Sequence, residues 1–193
     1  MNELVVEVKR AAKTAKKLSG VLIGCRIPKD YFVTKGRGES DITIHAGSYH
    51  LALKDAGIEM CNIMTYSSIL PAIAQQIEKP ETLLHGQVME TIMATCNSKK
   101  GQLATAGIIY GWLYNRKTGE KHGGLVCEHY GQITREEVQK RLNASLQELY
   151  INGYEDYELR DINLFVESFK VKRKYGTALV ALCFTNYLIP MAE

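Results

Sequence analysis

Asn62-Ile63-Met64-Thr65-Tyr66-Ser67-Ser68-Ile69-Leu70-Pro71 is the stretch on which the fold of this chain turns. Residues 59–66 have the apolar and β-branched character of a strand, and that strand runs straight into a serine pair. Pro71 disfavours a helical Leu70, and it predicts a helix opening over residues 72–77. Two adjacent serines often make only a turn. A serine whose hydroxyl is pressed against the preceding carbonyl can also attack its own backbone, turning the peptide into an ester.

Upstream, residues 48–56 read as a helix stopped by Gly57, a residue suited to a left-handed cap. Residues 36–41 (Gly-Arg-Gly-Glu-Ser-Asp) read as a glycine-containing loop. It lacks the spacing of a phosphate-binding loop. Short strands are expected over 21–27 and 31–34, around Pro28-Lys29-Asp30. Downstream, strands are expected over 88–96, 103–114, 124–130, 162–173 and 177–186, with a hairpin turn at 115–119. Thr134, with Glu137 three residues later, predicts a capping box opening a helix that runs to about Gly153. Strands that arrive in pairs, separated by helices, argue for an α+β fold with mostly antiparallel sheets.

The bulk properties fit one domain. The chain has 193 residues, 46% of them hydrophobic, and a net charge of +3, which makes no case for a nucleic-acid partner. The five cysteines, at 25, 61, 96, 127 and 183, show no C-x-x-C spacing and no ligand spacing with histidine. No metal is expected, and the thiols suit a reducing cytoplasm. Neither a secretory signal nor an apolar run of membrane-spanning length is expected. Residues 1–22 are expected to form a basic helical extension, with Leu4, Val8, Ala11, Ala12, Ala15 and Leu18 at helical spacing. It reads as a solvated outer face or, alternatively, as a surface for RNA or anionic lipid.

Several motifs in order resemble the pyruvoyl-dependent arginine decarboxylases. They are Asn62 followed by four residues and Ser67-Ser68, the aliphatic pair with Pro71, His85-Gly86, Gly124-Leu125-Val126-Cys127-Glu128, and Arg173-Lys174-Tyr175-Gly176 before an apolar strand. The resemblance implies a four-layer α/β/β/α sandwich over residues 23–193, assembled as a homotrimer. It implies self-cleavage into a β chain (1–67) and an α chain (68–193). Ser68 then becomes a pyruvoyl group that replaces pyridoxal phosphate and forms a Schiff base with a small amino-acid substrate. Asn62 is expected to support the cleavage between Ser67 and Ser68, and Glu128 to act as general acid. On a strand, Val126, Glu128 and Tyr130 share one face and Leu125, Cys127 and His129 the other. Apolar neighbours raise a carboxyl pKa toward the range that such an acid needs.

The substrate stays open. His50 stands where the family carries an aspartate facing a cationic substrate, and a histidine does not neutralise a guanidinium as a carboxylate does. Either the alignment slips in this loop, or Glu39 or Asp41 supplies the charge, or the substrate is not arginine. Conversion of L-arginine to agmatine and carbon dioxide is the expected reaction, with another amino acid as the alternative. Other readings are a binding or scaffold homologue, a thiol hydrolase using Cys61 or Cys127, and a nucleic-acid module relying on the basic extension.

Overall fold

The computed structural model describes residues 25–190. The extension expected over 1–22 lies outside the described residues. In chain order the elements are β1 (Ile27–Ser40), a π-helical turn (Ile44–Tyr49), α1 (His50–Ala56), β2 (Asn62–Thr65), β3 (Ile69–Pro71), β4 (Gln75–Gln76), β5 (Val88–Lys99), β6 (Leu103–Asn115), β7 (Lys121–Gly131), α2 (Arg135–Ile151), β8 (Tyr157–Lys170) and β9 (Tyr175–Leu188). They build a five-stranded sheet in the order β2-β5-β9-β1-β4 and a four-stranded sheet in the order β3-β7-β6-β8. Only the β1–β4 and β2–β5 pairs are parallel. The fold is α+β with two mostly antiparallel sheets. No helix among the described residues is long and apolar enough to cross a membrane.

Strand alternation fills three apolar clusters. Ala178, Val180, Leu182 and Phe184 of β9 join Ile108, Tyr110 and Trp112 of β6 in a cluster drawn from both sheets. Leu179, Ala181 and Cys183, on the other β9 face, pack with Ala52, Leu53 and Ala56 of α1. Ile109 and Leu113 of β6 pack with Val138, Leu142 and Leu146 of α2. A period of two on the strands thus buries both faces of the central strands.

Two expectations are corrected. Residues 36–40 are not a loop, because β1 continues through them to Ser40 and pairs with β9 down to Ser40↔Tyr175. The glycines serve close packing. A Cβ on Gly36 would run into the Ala52 carbonyl and the Ala56 amide, and one on Gly38 into the Ser48 carbonyl and the Ala52 amide. The helix backbone therefore lies directly on the strand. The helix expected after Pro71 is also absent. Pro71 instead ends β3, and the chain turns to place Gln75 and Gln76 beside Asp30 and Tyr31 of β1. The buried Asp30 carboxylate ties this turn down by accepting hydrogen bonds from Gln75 Nε2 (3.0 Å) and Asn186 Nδ2 (2.7 Å).

Other local signals hold. Gly57 takes φ +69°, with Ile58 N donating to Leu53 O and Gly57 N to Lys54 O, a left-handed helix stop. Thr134 Oγ1 accepts from Glu137 N at 3.2 Å. The reciprocal half of the capping box is not made by Glu137, whose carboxylate accepts from Arg141 Nε at 2.7 Å.

Gly36→Ala is expected to cost about 1–3 kcal/mol, the usual range for overpacking, and to lower the thermal midpoint. Gly153→Ala, whose added methyl meets nothing within 4 Å, serves as the unchanged control.

Candidate active site

The segment 66–68 carries the chain from one sheet into the other. β2 belongs to the five-stranded sheet and β3 to the four-stranded one. Both ends of the switch are held by main-chain bonds. Tyr66 N donates to Thr91 O at 2.7 Å, and Val126 N donates to Ser68 O at 3.0 Å. The Ser67–Ser68 peptide lies between these two anchors.

Pairing of β3 with β7, in the register Ile69↔Leu125 and Leu70↔Gly124, sets Ser68 opposite Val126 and within reach of the Glu128 side chain. Ser68 Oγ donates to the Glu128 carboxylate at 2.9 Å (Oε2) and 3.2 Å (Oε1). The Ser67 carbonyl accepts from Ile69 N at 3.1 Å. This is a bond from residue i+2 back to i, and Ser68 at its centre keeps an ordinary negative φ, as in an inverse γ-turn. The carbonyl that would be attacked already has a donor on its oxygen.

Ser68 and Glu128 open into a cavity of about 490 Å³, lined also by Val126, Cys127, Ser145, Glu148, Leu149 and Asn152. Its charged lining residues are both carboxylates. Burial raises the Glu128 carboxyl above the ordinary glutamate range, partly opposed by the Ser68 hydrogen bond. The strand faces follow the sequence pattern, with Val126 in the cluster shared by the sheets and Leu125 and Cys127 toward α2. Burial raises the Cys61 thiol and, with neighbouring Glu128, pushes the Cys127 thiol up to about 11, which leaves a thiol-hydrolase reading without an activated nucleophile.

The remaining candidate residues lie elsewhere on the chain. The Asn62 amide donates to Gly86 O at 2.9 Å, tying the start of β2 to the 84–87 turn. His50 is exposed at the start of α1. Glu39 Oε1 accepts from the main-chain amides of Lys172 and Arg173, and Asp41 Oδ1 accepts from Lys174 N at 3.1 Å. Both carboxylates pin the β8–β9 connection. None of His50, Glu39 and Asp41 lines the cavity of Ser68 and Glu128.

Sequence reasoning missed two contributors. Ile69 acts through its main-chain N–H, which no side-chain pattern reports. Ser145, Glu148 and Leu149 of α2 and Asn152 at its C-terminal cap recur at i, i+3, i+4 and i+7, so helical spacing was the available signal.

Comparison with known proteins identifies the family. The family model for pyruvoyl-dependent arginine decarboxylase matches residues 30–188. The pyruvoyl-dependent arginine decarboxylase AaxB of Chlamydia abortus is 31% identical over 186 residues, covering 85% of this chain and 94% of that protein. The protein of the same name from Chlamydia caviae is 31% identical over 188 residues, with the same coverage. A pyruvoyl-dependent arginine decarboxylase of Methanococcoides burtonii is 40% identical over 86 residues, 43% of this chain and 47% of that protein. The chain belongs to the pyruvoyl-dependent arginine decarboxylase family of carboxy-lyases. Membership implies a pyruvoyl prosthetic group and an amino-acid substrate.

The raised Glu128 pKa has a stability consequence. A carboxyl whose folded pKa lies above its unfolded value favours the folded state below the unfolded pKa, about 4.3. That contribution is lost as pH rises through the folded value. Glu128→Gln removes the dependence. Its thermal midpoint relative to wild type should therefore climb as pH is raised from about 4 through the Glu128 pKa. A flat difference across that series would contradict the burial argument.

Proposed function

We propose that this chain is a self-processing, pyruvoyl-dependent amino-acid decarboxylase that converts L-arginine to agmatine and carbon dioxide. The observation that carries the reading is the Ser68 hydroxyl held on Glu128 at 2.9 Å within the segment that joins the two sheets.

Processing begins when Ser68 Oγ attacks the Ser67 carbonyl carbon. Glu128 orients the hydroxyl, and the Ile69 N–H stabilises the charge that develops on the Ser67 oxygen. Asn62 supports the step indirectly, through the Gly86 carbonyl that it ties to β2. Collapse of the adduct breaks the Ser67 C–N bond and leaves an ester in which the Ser68 nitrogen is a free amine. That nitrogen departs as ammonia only later, when water hydrolyses the dehydroalanine formed by elimination. Elimination then separates a β chain (1–67) from an α chain (68–193).

The residues fit the implied group: Ser68 is its source, and the cavity beside it is large enough for an amino acid. When present, the pyruvoyl group supplies the electron sink for loss of carbon dioxide. The chain's own residues do the rest. Glu128, kept protonated to higher pH by burial, delivers the proton that replaces carbon dioxide at the substrate α-carbon. The Glu148 carboxylate makes the cavity favourable for a cationic amino acid.

The three apolar clusters support a four-layer α/β/β/α sandwich. We place His50, Glu39 and Asp41 in substrate binding across a subunit boundary of a homotrimer, since within one protomer they lie outside the cavity. The free cysteines suit a cytoplasmic setting. The resemblance, which sets His50 where the family carries an aspartate, favours a different amino-acid substrate as the second reading.

Intact mass separates these readings. Wild type should resolve into two chains cut after Ser67, whereas Ser68→Ala should stay whole and inactive. Glu128→Gln should split at a near-normal rate, because a glutamine oxygen accepts the same hydrogen bond, yet lose nearly all carbon dioxide release. A cut and active Ser68→Ala protein would end the proposal. For the substrate, His50→Asp should raise kcat/KM for arginine by roughly tenfold, the worth of one charge-assisted hydrogen bond. A gain with a neutral amino acid instead would point away from arginine.

A further inference from the structure

Arg26 and Glu90 form an ion pair beside the other half of the switch segment. The Glu90 side chain, from β5, is only 3% exposed. Its Oε1 pairs with Arg26 Nη2, while Oε2 has no hydrogen-bond partner among the described residues. A buried, half-satisfied carboxylate is poor value for stability, since apolar replacements of buried ion pairs are often neutral or better. Arg26 sits differently. It is half-exposed, its guanidinium lies over the Tyr187 ring at 5.4 Å, and it lines a cleft of about 460 Å³ together with Thr65, Tyr66 and Ser67. Arg26 is the one charged residue lining that cleft among the described residues. A guanidinium has five N–H donors, so Glu90 and Tyr187 fix its position and leave donors for another acceptor.

We propose that Arg26, aimed by Glu90, receives the carboxylate released from Ser67 during self-cleavage; this rests on the self-processing reading above. After the acyl shift, the Ser67 carbonyl carbon is bonded to Ser68 Oγ. The Ser68 α-proton passes to water acting as base, its electron pair forms the Cα=Cβ bond, and the Cβ–Oγ bond breaks. The electrons of that bond leave with oxygen. Ser67 departs as a carboxylate that carries the former Ser68 Oγ, and residue 68 becomes dehydroalanine. A full negative charge thus appears on Ser67, which shares its cleft with Arg26. The guanidinium stabilises the leaving group in the elimination and afterwards holds the new chain end. Glu90 is a positioning residue in this scheme.

The test is the rate of splitting by the full chain, followed by intact mass, in the double variant Arg26→Met with Glu90→Gln, which strands no buried charge. Splitting should slow by roughly tenfold, the effect of losing one charge-assisted bond to the leaving group. Full-length ester should accumulate, and hydroxylamine should convert it to cut protein ending in a Ser67 hydroxamate. Arg26→Lys, which keeps a cation, should restore most of the rate. A folded double variant that splits at the wild-type rate, with no hydroxylamine-sensitive material, overturns the inference and leaves the self-processing reading intact. A wild-type protein that never splits overturns both. Should the double variant not fold, Arg26→Gln carries the same comparison of rates and trapped ester.

Discussion

One covalent constraint organises this molecule: a three-residue segment joins two sheets that pack on each other. Tyr66 is bonded to β5 on one side and Ser68 to β7 on the other. The Ser67–Ser68 peptide therefore cannot relax by moving with either sheet alone. The Ile69 N–H folds back on the Ser67 carbonyl, and Glu128 reaches up from β7 to the Ser68 hydroxyl. Nucleophile, electrophile and oxyanion donor are brought together by two hydrogen-bond ladders. In the proposed scheme a break at this position leaves each new end seated in its own sheet.

The segment also separates two kinds of electrostatic environment. The cavity of Ser68 and Glu128 carries carboxylates, and burial holds the Glu128 proton to a higher pH than water would. The cleft of Ser67 carries the Arg26 cation, anchored on a buried carboxylate. In the proposed scheme the charge left on Ser67 shares a cleft with a cation, while a cationic substrate enters on the acidic side. The acyl shift, the elimination and the protonation of the substrate thus draw on different side chains around one short segment.

Much of the site was legible because strand geometry is local. Alternation on β7 put Val126 and Glu128 on one face, and the serine pair marked the end of a strand. What escaped was non-local. Gly36 and Gly38 read as a loop because nothing in their neighbourhood reveals that a helix backbone packs on them. Pro71 read as a helix start, but pairing with Gly123 made it the end of a strand, a case of tertiary context overriding propensity. Glu39 and Asp41 read as carboxylates for a cationic substrate, and only the register of β1 against β9 brought them to the amides of residues 172–174.

By itself the sequence marked the candidate residues and their local setting: a serine pair at the end of a strand, a glutamate on a strand with apolar neighbours, and a helix opened by Thr134 among paired strands. These follow from residue type and from periods of two and 3.6, which are properties of the local chain. Tertiary structure alone decided that β2 and β3 enter different sheets, that Ser68 meets Glu128 sixty positions away, and that Arg26 and Glu90 meet beside Ser67. Those juxtapositions depend on sheet register and on which faces bury against each other, and both are set by the packing of the whole chain.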